Sequence, residues 1–173
     1  GMDYDFWVDF DAVERDNVCL SVVNDWPNRD WCCGWELWKQ TAQNLPLRVF
    51  GKSPGFSEPA RSIEHLREIY HSSSIFYNTS LHSPVPTVLM EAMACGCAVV
   101  STATCMIPEI IEHGKNGLIS NNPNDLRSML ETLLNNPDMA RELGKNAQKT
   151  IREKYNSEQF LAKWDDLFYS TIR

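Results

Sequence analysis

Short apolar runs alternate along the chain with longer stretches in which apolar residues recur every three or four positions. The runs fall at 18–23, 47–50, 74–78 and 98–101, and a last short run lies at 117–120. Alternation of this kind is typical of a parallel sheet with helices packed on its faces. The pattern therefore predicts an α/β fold.

The stretches between the runs predict helices through the spacing of their apolar residues. Trp31, Trp35 and Trp38 recur at helical spacing, so 31–43 is predicted to be one helix with an aromatic face that packs into the core. The alternative for this face is stacking against a ligand. Trp26 precedes the helix in a loop. The remaining helices are predicted at 62–72, at 86–94 with Gly96 as the stop, from Pro108, after a cap at Asn124 or Asp125, from Pro137 and from Ser157.

The chain reads as one domain over 18–173, without repeats or interior linkers. Residues 1–17 are rich in aspartate and aromatic side chains and are predicted to be an entering segment or an interdomain linker. The last helix carries a stripe of apolar residues at 160, 164, 167 and 168. A surface of this kind suits a missing second domain.

Composition narrows the range of functions. The chain has 173 residues and a formal net charge of -7, which disfavours nucleic acid as a partner because phosphate binding needs a basic surface. No apolar run has the roughly 20 residues needed to span a bilayer, so we expect no transmembrane segment. A cytoplasmic location is predicted, with peripheral attachment to a membrane as the alternative. The six cysteines lack metal-ligand spacing, so no metal site is predicted and the thiols should be reduced and mostly buried.

Four loops should meet at one edge of the predicted sheet, because ligands of parallel sheets bind outside the carboxyl ends of the strands. These loops are 24–30, 51–55, 79–85 and 102–106. Pro86 is placed to begin a helix directly after the third loop. The backbone N–H groups of Thr87, Val88 and Leu89 should then lack helical partners, which creates a site for an anion such as phosphate.

Glu91 lies about one turn further along the same helix. A carboxylate in this place can accept two hydrogen bonds, as a vicinal diol such as that of ribose would offer. The alternative is that Glu91 only complements the helix dipole.

The stretch around this helix resembles the carboxyl-terminal domain of group 1 glycosyltransferases, which are retaining enzymes with two facing Rossmann-like domains (the GT-B architecture). The residues that carry the resemblance are SPVPTVLMEAMACGCAVVSTATCMIPEIIEHGKNGLI and, downstream, NPDMARELGKNAQKTIREKYNSEQF. The resemblance implies a Rossmann-like parallel sheet flanked by helices that forms one half of such an enzyme and binds a nucleotide-sugar.

The family pattern assigns roles to several positions. Glu91 matches the second of two glutamates and is implied to hold the nucleotide ribose. The first glutamate of the family contacts hydroxyls of the donor sugar. Ser83 stands at its position in this chain. The glycine-rich turn of the family is replaced by 84–87, so the phosphate would rely on Thr87 and Val88.

The family also places an arginine and a lysine after the first strand to neutralise the diphosphate. Asn24 matches the arginine position and Arg29 the lysine position, and Lys52 at the end of the second strand could supply the missing charge. The alternative for Arg29 is a surface ion pair with Asp25 or Asp30. We expect Arg29 and Glu91 to be the catalytic groups of this half of the enzyme.

The resemblance therefore implies a domain that binds a UDP- or GDP-sugar as substrate, with no prosthetic group. The acceptor would be a glycan or a lipid-linked sugar, and an amino-terminal domain would complete the enzyme. The chain alone should bind nucleoside diphosphate weakly and transfer no sugar. Two alternatives are a non-catalytic interaction module that keeps the fold and a sugar-nucleotide epimerase of the same architecture.

Overall fold

The computed structural model describes residues 3–8 and 14–171 of the chain. Its strands form one sheet in the order β2-β1-β3-β4-β5, and every neighbouring pair is parallel. The predicted Rossmann-like α/β class is confirmed. The strands are β1 (Asp16–Val22), β2 (Leu47–Phe50), β3 (Ser73–Asn78), β4 (Ala98–Ser101) and β5 (Leu118–Ile119).

Helices connect the strands and close the chain. A single 3-10 turn, Pro27–Arg29, precedes α2. The helices are α1 (Tyr4–Val8), α2 (Asp30–Cys33), α3 (Trp35–Ala42), α4 (Ile63–His71), α5 (Thr87–Ala94), α6 (Ile107–Ile110), α7 (Pro123–Asn135), α8 (Pro137–Lys154) and α9 (Ser157–Thr171).

Both faces of the sheet are buried, which explains why the strand sequences are almost continuously apolar. Successive residues of a strand point to opposite faces. Leu20, Phe76 and Val99 accordingly pack into the core on one face, together with α4, α5 and the end of α8. Their neighbours Cys19 and Ile75 pack on the other face, against α3 and α7.

The order of the strands reverses direction between β1 and β3. The chain leaves β1 towards β2 on one side and later returns to β3 on the other side of β1. Diverging connections of this kind leave a crevice at the carboxyl ends of the two strands, where ligands of open α/β sheets bind. The loops that follow β1 and β3 therefore border the place where a ligand is expected.

The predicted single helix over 31–43 is wrong, because Gly34 interrupts it. Gly34 has φ +64° and separates α2 from α3. A Cβ at this position would lie 2.2 Å from the carbonyl oxygen of Thr79, so the chain needs glycine both for its backbone angle and for the close approach. The break turns Trp31 away from the shared face, and its side chain is 69% exposed instead of lying in the core.

The amino cap of α7 is also misplaced in the sequence-based prediction. The helix begins at Pro123, and the side-chain oxygen of Asn122 accepts a hydrogen bond from the Asn124 N–H at 2.9 Å. Proline at the first helical position sets the backbone angle for the helix, so the cap falls one residue before it. Asn124 and Asp125 lie inside the helix.

The ends of the chain differ in how they pack. In α1, Trp7 is buried and its ring makes an edge-on contact with Tyr70 at 5.7 Å. The division between 1–17 and 18–173 remains a prediction, and 9–13 lie outside the described residues. Helix α9 forms as predicted, but its large apolar side chains are exposed: Phe160, Leu161, Trp164, Leu167, Phe168 and Tyr169.

Candidate functional site

The loops after β1 and β2 are tied together at the carboxyl edge of the sheet. The side-chain oxygen of Asn24 accepts a hydrogen bond from the Lys52 N–H at 2.8 Å. The N–H of Asp25 donates to the Lys52 carbonyl, also at 2.8 Å. Asn24 therefore shapes the backbone at this edge, while both Asn24 and Lys52 remain exposed to solvent.

The loops after β3 and β4 are joined in the same way. The hydroxyl groups of Thr102 and Thr104 both donate to the carbonyl oxygen of Ser80, at 2.5 and 2.6 Å. The Met106 N–H donates to the Pro84 carbonyl at 3.3 Å. The predicted meeting of four loops at one edge is confirmed, and these bonds fix the path of the chain into α5.

A helix amino terminus with unused donors lies at the end of the third loop. Pro86 precedes α5 and makes no side-chain cap. Among the described residues, the N–H groups of Thr87 and Val88 find no hydrogen-bond acceptor. The expectation for Leu89 was wrong, because its N–H donates to the Pro86 carbonyl at 3.1 Å, a tightened first turn. Two donors remain for an anion.

Glu91 lies four residues after Thr87 and is half-buried. Its Oε2 accepts a hydrogen bond from the Tyr70 hydroxyl at 3.0 Å. Burial raises the pKa of Glu91, and the Tyr70 hydrogen bond partly opposes that rise. Burial and the neighbouring Glu91 hold the pKa of Tyr70 well above its usual value, so the phenol stays protonated and donates. The bond leaves Oε1 available for a ligand.

A cavity of about 330 Å³ lies between the amino-terminal half of α5 and the junction of α8 with α9. It contains two lysines that the sequence analysis missed, on helices more than sixty residues beyond Glu91. No spacing rule could have connected them to the site, since only the return of the last two helices brings them there. The lining residues are Thr87, Met90, Glu91, Lys154, Tyr155, Asn156, Phe160 and Lys163.

Arg29 has an exposed side chain at the end of the 3-10 turn. Over the described part of the chain, no carboxylate lies within 4 Å of it. Asp25 accepts instead from the Asn28 amide, and Asp30 accepts from the Glu36 N–H, both at 2.8 Å. The ion pair considered as the alternative for Arg29 is therefore not formed.

The predicted site residues fall into two groups. Thr87 and Glu91 line the cavity. Asn24, Arg29, Lys52 and Ser83 lie on the loops at the sheet edge, outside the cavity lining. Val88 is half-buried and packs against the core, so its contribution to a ligand would come from its backbone N–H.

The raised pKa of Glu91 predicts a pH dependence of stability. The folded state binds the Glu91 proton more tightly than the unfolded state does, so the free energy of unfolding should fall as the pH rises from 4.5 through the raised pKa. Glu91→Gln should remove this component of the slope. Urea unfolding of both proteins across that pH range measures it, and parallel curves for the two would contradict the assignment.

The described helices include none that is long and apolar enough to cross a membrane.

Comparison with known proteins identifies the family to which this chain belongs. The model of the glycosyl transferases group 1 family matches residues 36–150, and the chain belongs to that family. N-acetyl-alpha-D-glucosaminyl L-malate synthase of Bacillus anthracis is 26% identical over 112 residues, which are 64% of this chain and 29% of that protein. The chain thus spans less than a third of the length of the curated relatives that it matches.

Solved structures share the fold. The C-terminal domain of a glycosyl transferase group 1 family protein (LpcC) from Francisella tularensis superposes with a TM-score of 0.68 at 15% identity, covering 91% of this chain and all of that one. Anabaena Alr3699/HepE in complex with UDP superposes with a TM-score of 0.80 at 16% identity, covering 98% of this chain and 56% of that one. Because this chain covers 56% of the Anabaena protein, that protein has room for another domain.

Proposed function

We propose that this chain is the donor-binding domain of a retaining glycosyltransferase, which transfers a sugar from a UDP- or GDP-sugar to an acceptor hydroxyl. One observation carries the proposal: the unused N–H donors at the start of α5 and the Glu91 carboxylate lie four residues apart, beside a cavity that also contains two lysines. The UDP in the Anabaena structure supports a nucleotide as the ligand.

The diphosphate would bind at the amino terminus of α5. The N–H groups of Thr87 and Val88 would donate to phosphate oxygens, and the helix dipole favours negative charge there. Lys154 and Lys163 would add positive charge from the far wall of the cavity. These groups would stabilise the diphosphate as it leaves the sugar, which is the electrostatic part of the catalysis.

Glu91 would hold the ribose. Tyr70 occupies one carboxylate oxygen and fixes the plane of the group, and the other oxygen can accept from a ribose hydroxyl. Desolvation of the carboxylate strengthens such a bond, since few waters compete for it. The role carried over from the family for Glu91 is thus supported by its position and its single internal partner.

Arg29 and Lys52 would complete the positive site from the sheet edge. Arg29 pairs with no carboxylate of the described residues, so its guanidinium is available for bidentate contact with a phosphate. Ser83, with no charge, would offer the donor sugar one hydrogen bond through its hydroxyl. An amino-terminal domain would bring the acceptor, a glycan or a lipid-linked sugar, so the chain alone should transfer nothing.

Calorimetric titration with UDP and GDP tests this function. We expect one nucleotide to bind each chain, and Arg29→Ala to weaken binding about fivefold through loss of a charge-assisted contact. Arg141→Ala is the matched control, because Arg141 is an exposed arginine of α8 paired with Asp138 and should change nothing. Absence of nucleotide binding would contradict the proposal and favour the interaction module.

A further inference from the structure

An exposed ring of α2 stacks on an exposed ring of the loop after β3, at the carboxyl edge of the sheet. Trp31 follows β1 in the chain and His82 follows β3, and their ring centroids lie 6.3 Å apart with an angle of 29° between the planes. Trp31 is the most exposed of the six tryptophans, all of which the structure describes. The pair lies where the sheet order reverses, which is the expected position for a ligand.

Hydrogen bonds join the two segments that carry these rings. The N–H groups of Leu81 and His82 both donate to the carbonyl oxygen of Cys32, at 2.8 and 3.2 Å. The Thr79 hydroxyl donates to the carbonyl of Cys33 at 2.9 Å. Three hydrogen bonds thus join the segment that carries Trp31 to the loop that carries His82, so the two backbone segments are fixed relative to each other.

The fold does not require a tryptophan at this exposed position. The break at Gly34 turns Trp31 outwards, while Trp26 and Trp38 fill the core nearby. Covering a large exposed apolar ring with a flat apolar surface lowers the free energy, and this ring lies at a ligand crevice. The neighbouring imidazole of His82 adds a hydrogen-bonding group beside the indole.

We infer that Trp31 and His82 form a platform on which the pyranose ring of a saccharide stacks. The C–H face of such a ring would lie on the indole, and its hydroxyl groups would reach the imidazole. A nucleobase fits the position less well, because neither ring lines the cavity of Glu91, where the ribose is proposed to bind. A sugar fits it better, because Ser83, the residue proposed to contact the donor sugar, follows His82 directly. The inference rests in this respect on the proposed function.

Two arms of one experiment separate the possible sources of the ring. The first compares the affinities of UDP-glucose, UDP-N-acetylglucosamine and GDP-mannose with those of UDP and GDP. The second titrates maltotriose, which stands for an acceptor glycan. Trp31→Ala should weaken the binding of at least one of these saccharides about fivefold and leave the affinities for UDP and GDP unchanged. Trp31→Phe should lose less saccharide affinity because it keeps a ring.

Controls make the outcome decisive. Tyr169→Ala removes another exposed aromatic ring, near the end of α9 and outside the lining of the cavity, and should leave every affinity unchanged. His82→Ala should also weaken the binding of the saccharide that Trp31→Ala affects. Equal saccharide affinities in the parent and Trp31→Ala, or no saccharide binding by the parent in either arm, would overturn the platform. Failure of UDP and GDP to bind would overturn the proposed function instead, while the maltotriose arm still tests the platform.

Discussion

Glu91→Gln should weaken the binding of UDP by about ten- to a hundredfold, which corresponds to the loss of a charge-assisted hydrogen bond of roughly 1.5–3 kcal/mol. A glutamine keeps the volume and can still accept from the Tyr70 hydroxyl, so the fold should be preserved. It replaces the ligand-facing carboxylate oxygen by an amide that lacks the charge and presents an N–H group to the ribose hydroxyl. Calorimetry on the parent and the variant measures the difference.

A matched control separates this effect from a general loss of negative charge. Glu142 is an exposed residue of α8, and it does not line the cavity of Glu91. Glu142→Gln should leave the affinity for UDP unchanged. If Glu91→Gln also binds UDP as the parent does, Glu91 does not hold the ribose, and its buried carboxylate serves the packing of α5 alone.

Trp26→Ala should lower the free energy of unfolding by about 3–5 kcal/mol, the usual cost of removing a buried tryptophan. Trp26 has no exposed surface, its ring centroid lies 4.8 Å from that of Trp38, and its Nε1 donates to the Cys33 carbonyl at 2.9 Å. The substitution would leave a large cavity and remove one of the two hydrogen bonds that the Cys33 carbonyl accepts. Chemical denaturation of the variant and the parent measures the difference.

Trp31→Ala is the control for this stability prediction. Both tryptophans belong to the segment between β1 and α3, but Trp31 is 69% exposed. Its removal should therefore cost less than about 1 kcal/mol. Similar losses in the two variants would contradict the packing described for this segment.

These two tryptophans also mark how far the sequence could predict the fold. The strands and the helix that carries Glu91 were predictable, because buried parallel strands are short apolar runs and because Pro86 marks a helix start. The environments of Trp31 and Trp26 were not. Helical spacing suggested that Trp31 packs inside, but Gly34 reverses the backbone there, and spacing carries no information about the sign of φ.

The candidate site was predictable in part for a similar reason. Thr87 and Glu91 lie on one helix, so their separation follows from helical geometry. Lys154 and Lys163 reach the same cavity only because α8 and α9 fold back over α5, and that depends on tertiary packing. The stacking of Trp31 on His82 depends likewise on tertiary packing, which joins α2 to a loop about fifty residues further along the sequence.

The central claim is that the amino terminus of α5 and Glu91 form a nucleotide site. Titration of the isotopically labelled chain with UDP, followed by the backbone amide resonances, tests it most directly. The claim predicts saturable shifts that are largest at the N–H groups of Thr87 and Val88 and that are lost or strongly reduced in Glu91→Gln. Binding that leaves these two amides unmoved, or no saturable shift at any residue, would contradict it.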